Sequence, residues 1–450
     1  MDTQSNQLRV EFTKADLRRL IVPLVIEQLL SITVGLSDSL MVSQVGEAAI
    51  SAVSLVDTVN VLLVNAFASL ATGGAVITGQ YLGRREVGKA GHSAQQLLLF
   101  MAEVSLAVMV LFYLGKGFVL NVVFGQVEAD VAAYANTYYM IVEASIPFLA
   151  LYSAGAALFR VMGNSGTSMW VSTAMNAINV VGNGILIFVF HRGVEGVAIP
   201  TLVSRIFAAA AMLVLLRRPG LPIQVERFTF RHDRFVVKNI LHFGVPNGIE
   251  GSMFQLGKIL LLSTVSVLGT ASVAANAIGN TLASFQVVPG TALGLAIVTV
   301  VSRCVGASEY DRARYYTKKM RTAYLYTVLV IALILACLPL ILKLYNVSDQ
   351  AREWATQILW MHGLCGILIW PLAFTLPQAL RAAGDTRFTM VASTVSMWTL
   401  RVGLGVLLGR YWGFGVLGIW MAMFADWALR AALFVPRFHG HKWETMGLEN

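Results

Sequence analysis

Residues 22–46, VPLVIEQLLSITVGLSDSLMVSQVG, decide how the chain is read, because residues 245–269, VPNGIEGSMFQLGKILLLSTVSVLG, repeat them at an offset of 223. Pro23 falls on Pro246, Glu27 on Glu250 and Gly46 on Gly269. The register runs on without a gap through Thr58 on Thr281, Gly83 on Gly306 and Glu86 on Glu309 to Ala90 on Ala313. A second block repeats at 221, where Arg160, Gly163, Gly182 and Gly184 fall on Arg381, Gly384, Gly403 and Gly405. So many matches in register, inside apolar segments, identify a duplicated half of about 220 residues.

The composition says where such halves live. Of 450 residues 57% are hydrophobic and only 13% charged, and the mean hydropathy is +0.69. A soluble domain carries about 25% charged residues. Recurrent apolar runs of about 20 residues mark membrane-spanning helices instead. Cys304, Cys337 and Cys365 show no CxxC spacing and sit in or beside apolar runs, which reads as neutral buried thiols and not as a disulfide framework or metal cluster. The polar start, Met1–Arg19, is followed by an apolar run too long for a cleaved signal peptide and without a small-residue cleavage site.

The hydropathy pattern predicts twelve spans, near 20–42, 49–78, 94–115, 134–157, 168–190, 194–216, 240–267, 273–300, 322–343, 353–378, 388–410 and 414–436. Lipid leaves the backbone no outside partner, so these are helices. The fold class expected is an all-α integral membrane protein, with twelve transmembrane helices in two pseudo-symmetric six-helix bundles around a central cleft. Its parts are an N-terminal segment 1–19, a lobe 20–216, a linker 217–239, a lobe 240–436 and a tail 437–450. Six spans precede the linker, so both halves cross in the same direction, related by an axis along the membrane normal.

Lys and Arg set the orientation. Segments 1–19, 82–92, 158–167, 205–238, 303–321, 381–387 and 430–450, expected on one side, hold 26 of the 33 basic residues. By the positive-inside rule both termini are cytoplasmic, in the plasma membrane (a bacterial inner membrane). Spread over every inner loop, the net charge of +9 is a matter of topology and gives no sign of a nucleic-acid partner. Asn346-Val347-Ser348 fits the glycosylation pattern on an outer segment, a pattern common by chance.

Ionisable groups inside spans are costly and are functional candidates by default. Asp38 is the sharpest. Eighteen residues beyond Leu20, it sits about 27 Å up its helix. Asn179 and Asn183, on one face of the fifth span, reach similar heights, as does Thr201 on the sixth. One carboxylate, two amides and a hydroxyl thus converge on one depth, as oxygen ligands for a small hard cation or as a proton site; the alternative is that Asp38 merely bonds a neighbouring helix. The copy of Asp38 is Leu261, so ion chemistry is expected in one lobe only.

Glu27 and Glu250 are duplicated and lie lower. They are candidates to line the cleft, with Asp57 and Gln255, or to bond within their own lobes. Pro23 and Pro246 each remove a helix hydrogen bond and are expected to bend their spans. Glu143 and His362 read as satisfied interior polar groups. Lys258, Arg401 and Asp426 all lie in the second lobe, and by depth Arg401 and Asp426 are matched to pair. Gly83–Glu86 and Gly306–Glu309 read as turns closing the second span of each half.

No GxSxG, HExxH, P-loop or strand-borne GxGxxG occurs, and the seven histidines are scattered. An enzyme is therefore not expected, nor a cofactor or a resident metal, and without a phosphate-binding loop transport would run on an ion gradient.

Several stretches resemble the multidrug and toxic compound extrusion (MATE) family. They are PLVIEQLLSITVGLSDSLMV, with its Pro and Asp fifteen apart, ALFRVMGNSGTSM, INVVGNGILIF, GVEGVAIPTLVSR, FGVPNGIEGSMFQLGKILLL and LRAAGDTR. Together they extend the resemblance over residues 15–435. It implies export of organic, often cationic compounds against inward movement of Na⁺ or H⁺. It also implies that Asp38 is the coupling residue, and that Asn179 and Thr201 match further positions of the N-lobe cation site. Many relatives carry an acid where this chain has Asn183, which leaves open whether the ion is Na⁺ or H⁺. The expected partners are small organic molecules and the lipid bilayer, and the expected oligomeric state is a monomer. The alternatives are a flippase for lipid-linked oligosaccharide or peptide precursors and, from another class, a membrane-embedded enzyme.

Overall fold

The computed structural model describes residues 10–125, 127–225, 231–343, 345 and 347–448, without the side chains of 321–323. Asn346, and with it the glycosylation pattern, lies outside them, as do the outermost residues of both termini and part of the linker. Every span is helical, and no strand occurs among the described residues.

The helices of the first half are α1 (Lys14–Ser43), α2 (Glu47–Gly83), α3 (Val87–Leu114), α4 (Ala129–Glu143 and Ile146–Val161), α5 (Ser165–Val189) and α6 (Glu195–Leu215). Those of the second are α7 (Arg234–Ser266), α8 (Thr270–Gly306), α9 (Tyr310–Lys343), α10 (Asp349–Leu368 and Pro371–Ala383), α11 (Thr386–Tyr411) and α12 (Gly415–His439). Among the described residues nine of these are long and apolar enough to cross a membrane alone, and α4 and α10 join them as bent pairs. α7 completes the twelve. It misses that standard of apolarity because Glu250, Gln255 and Lys258 lie within it, although its 33 residues are ample in length.

Several ends differ from the hydropathy boundaries for local reasons. α1 starts six residues early because Thr13 and Asp16 form a capping box, the Asp16 amide donating to Thr13 Oγ1 at 3.1 Å and the Thr13 amide to Asp16 Oδ2 at 2.9 Å. α7 likewise begins at Arg234 and not near 240. Asp233 Oδ1 accepts the Phe235 and Val236 amides at 2.9 and 3.3 Å, while Asp233 Oδ2 meets His92 Nε2 of α3 at 3.1 Å. Burial alone would raise the Asp233 carboxyl, but these hydrogen bonds hold it below its usual range.

Breaks between helical segments lie away from the two repeated prolines. Pro23 and Pro246 each sit inside an unbroken helix. The breaks come in the fourth helix of each half, 46° in α4 and 58° in α10. There Pro147 and Pro371 stand in the first turn of the restarting segment, where the missing N–H has no intrahelical partner to lose.

The chain forms two compact units, Thr13–Gly248 and Ile249–Asn450, the second also including the chain start as far as Phe12. In the first, Val56, Tyr139, Val142 and Val197 centre a core shared by α2, α4 and α6. In the second, Trp370, Phe374, Trp427 and Phe424 form an aromatic run between α10 and α12. The duplication shows in the backbone as well as in the residues. Gly46 and Gly269 precede α2 and α8 with φ of +135° and +99°, a region closed to most side chains.

Candidate functional site

The first unit gathers its polar residues where α1, α5 and α6 meet. Gly182 fixes the α5–α6 distance: a Cβ there would lie 2.8 Å from Pro200 Cβ, so the two helices touch backbone to ring. That contact sets Asn179 beside Thr201, next after Pro200, and Asn179 Nδ2 donates to Thr201 Oγ1 at 3.0 Å. One turn on, Asn183 Nδ2 donates to Asp38 Oδ1 at 2.8 Å and to Asn179 Oδ1 at 3.4 Å. The four residues named from helix depth are thus joined in one chain. Asn179 and Asn183 are 6% and 0% exposed, while Asp38 and Thr201 are half-buried. Asn183 Oδ1 is buried with no hydrogen-bond partner among the described residues. An orphan acceptor next to a carboxylate, an amide oxygen and a hydroxyl is a donor set that suits a small hard cation.

Asp57 belongs to this neighbourhood too. It accepts the Tyr138 hydroxyl at 3.2 Å and is close enough to Asp38 to interact electrostatically, as is Arg205. Arg205 donates to Ser145 Oγ at 2.6 Å. Arg205, which falls both in the predicted sixth span and in the basic segment 205–238, lies mid-helix in α6, and Arg430 in α12 is a second such case, 2% exposed. Without those two the basic loops hold 24 of the 33 cations, counted from the 26 above. Glu143 is also corrected. It is fully buried, but both carboxylate oxygens lack a hydrogen-bond partner among the described residues. Nothing in hydropathy marks Tyr138, which reads as an ordinary apolar-face tyrosine.

Glu27 and Glu250 are held inside their own units. Glu27 lies 3.7 Å from Arg160 and accepts the Ser168 hydroxyl at 2.6 Å; Glu250 lies 2.5 Å from Arg381. The duplicated glutamates therefore meet the duplicated arginines, which favours the intra-lobe reading over the cleft one. Gln255 is half-buried on α7, next to Phe254. Arg401 lies 3.9 Å from Asp426, which is bound more closely by Arg430 at 2.8 Å. His362 is buried against Trp420 and Trp427 and bonded to Gln286. No group of three or more His, Cys, Asp or Glu placed to hold a metal occurs among the described residues. A cavity of about 180 Å³ in the second unit, lined by Ile297, Tyr324, Leu372, Thr375 and Phe438, contains none of the sequence-named site residues.

Known proteins agree with this architecture. The family description MatE matches residues 23–185 and again 246–407, two segments whose starts differ by 223, the offset of the internal repeat. The chain is 26% identical over 435 residues to "Uncharacterized transporter YisQ" of Bacillus subtilis, covering 95% of this chain and 94% of that one. It is 23% identical to "Probable multidrug resistance protein NorM" of Thermotoga maritima, covering 96% and 93%. Among solved structures, an outward-facing multidrug resistance MATE family transporter of the MOP superfamily superposes with a TM-score of 0.87 at 18% identity, over 95% of this chain and 98% of that one. At that identity the likeness speaks for the fold, two bundles of six membrane helices. With the matched segments covering most of both halves, the chain belongs to the MatE family of multi-pass membrane transporters.

Proposed function

We propose that this protein is a secondary active antiporter that exports amphipathic, often cationic organic compounds in exchange for Na⁺ or H⁺, with Asp38 as the coupling group. The observation that carries the reading is the Asp38–Asn183 hydrogen bond at 2.8 Å, with the orphan Asn183 oxygen, Asn179 and Thr201 completing a neutral ligand set. A carboxylate so placed can serve in either protonation state. Charged, it holds a cation with neutral oxygens; protonated, it still accepts from Asn183. Ion binding then biases the repeat-built bundles between inward and outward access by a rocking motion. Relatives named as multidrug resistance proteins support the cargo class. Both termini are assigned to the cytoplasm on the distribution of Lys and Arg, and the transporter is taken to work as a monomer.

Asp38→Asn keeps the shape and the hydrogen-bonding capacity but not the charge. In proteoliposomes this variant is expected to reconstitute normally and to lose ion-driven uptake of rhodamine 123, whichever of a Na⁺ or a pH gradient drives the wild type. Undiminished uptake by the variant would refute the assignment.

A further inference from the structure

The second unit carries an unbalanced charge cluster that ion coupling does not use. Glu250, Phe254 and Lys258 stand four apart on α7 and so share one face. Over that face lie Arg401 of α11 and Arg430 of α12, whose guanidinium groups are 5.0 and 6.0 Å from the Phe254 ring. Arg381 of α10 takes Glu250, and Arg430 takes Asp426 with its Nε and the Ser393 carbonyl with a second nitrogen. Among the described residues Lys258, Arg381, Arg401 and Arg430 thus face only Glu250 and Asp426, four cations against two carboxylates, and two positive charges are left over.

The surplus sits on Arg401 and Lys258. Arg401 reaches Asp426 only at 3.9 Å, turns a second nitrogen to the Met423 sulfur at 3.0 Å, and has a buried Nε without a partner among the described residues. Lys258 has no carboxylate within ion-pair distance among the described residues, is exposed, and lies close enough to Arg401 for the two to repel. Arg401 is 15 residues from the start of α11 and 10 from its end, about 15–22 Å from either side. A buried guanidinium so weakly compensated at that depth is costly, and with an unpaired lysine beside it is a candidate functional group by default. A bound anion would satisfy both, with the Phe254 ring beside it as an apolar platform.

We infer that Arg401 and Lys258, backed by Arg430 and Phe254, form an anion subsite that receives the carboxylate, sulfonate or phosphate group of an amphipathic cargo. This rests on the antiporter reading and adds to it a second class of substrate, so that cargo charge is sorted by the polarity of the second unit.

The test uses two xanthene dyes of similar frame, fluorescein as the anion and rhodamine 123 as the cation, with full-length protein in proteoliposomes. Wild type is expected to take up both. In Lys258→Ala the ratio of fluorescein to rhodamine 123 uptake falls at least about tenfold, the loss of one charge-assisted contact, and in Lys258→Glu it falls further. Fluorescein binding to detergent-solubilised protein, followed by anisotropy, is expected to weaken in the same order. A short-chain phosphatidic acid and inorganic phosphate serve as competitors. Displacement by the lipid alone identifies a lipid head group as the usual occupant, and displacement by both identifies a general organic anion site. Fluorescein binding that is absent, or unchanged in Lys258→Glu, overturns the subsite. Rhodamine 123 uptake that still depends on Asp38 would then show that the antiporter reading survives without it.

Discussion

The two units are copies of one scaffold that carry opposite chemistry. Glu27–Arg160 and Glu250–Arg381 are the same ion pair twice, joining the first helix of each half to its fourth. Around Asp38 the resemblance ends. At the repeat offsets Asp38, Asn179 and Asn183 become Leu261, Leu400 and Leu404. The first unit holds two acids near one arginine, Asp38 and Asp57 near Arg205. In the second, Arg401 reaches Asp426 only at 3.9 Å, and Lys258 has no carboxylate within ion-pair distance among the described residues. Duplication preserved what holds a six-helix bundle together, while the polar residues of the proposed ion and cargo sites diverged. On the proposed antiport reading an ion site needs only one copy, because a gradient sensed in one unit suffices to bias the equilibrium between states.

The largest expected effect comes from forcing the copies to agree. Leu261 is 8% exposed and packs with Val265 and Ile419. Leu261→Asp would place a carboxylate there without an amide like Asn183 to receive it. An unpaired charge in such a site costs several kcal/mol, about 4 or more. The thermal midpoint in detergent should fall well below that of Leu261→Ala, or the variant should fail to express. A well-folded Leu261→Asp would mean that the second unit retains a latent acid site.

The shared ion pairs are next. Removing one partner of a buried pair costs about 3–5 kcal/mol, since the other is left charged and dry. Arg381→Ala should approach that figure, because Glu250 loses its 2.5 Å contact and keeps only Arg430 at 4.0 Å. Arg160→Ala should cost less, for Glu27 starts from 3.7 Å and retains the Ser168 hydroxyl. Equal losses of thermal stability in the two variants would show that the contacts differ in distance only.

This pairing also shows what could be read from the chain alone. Both members of both pairs were visible as repeat matches, and their joining was not, because sequence offsets say which residues correspond and not which ones touch. The Asp38 cluster was legible because depth follows from counting residues along a helix, and all four of its members lie on predicted spans. Arg205 and Arg430 were counted with the basic segments as well as with the spans, for the same physical reason that makes them interesting. A guanidinium inside a bundle looks, to a hydropathy window, like the edge of a loop. Tyr138 and Glu143 were out of reach, since their significance depends on neighbours from other helices. The breaks at Pro147 and Pro371 were not legible, because a proline within a helix and one that restarts a helix read alike in sequence.

The smallest effect tests the scaffold and leaves the chemistry untouched. α2 and α8 are each followed, two residues past the last helical one, by a residue in the left-handed region that is not glycine, Arg85 at φ 60° and Ser308 at φ 59°. Each corner closes with the same bonds: the Glu86 amide reaches the Tyr81 carbonyl at 3.0 Å, and the Glu309 amide the Cys304 carbonyl at 2.8 Å. Both side chains are exposed, so the backbone alone carries the cost. Glycine removes the clash between Cβ and carbonyl, and Ser308→Gly and Arg85→Gly should each stabilise by about 1 kcal/mol. Because the two corners have one geometry, the two gains should match within about 0.5 kcal/mol when measured by thermal unfolding in the same detergent. A gain at one corner and a loss at the other would mean that one of these side chains makes a contact specific to its unit, and that divergence had reached the scaffold itself.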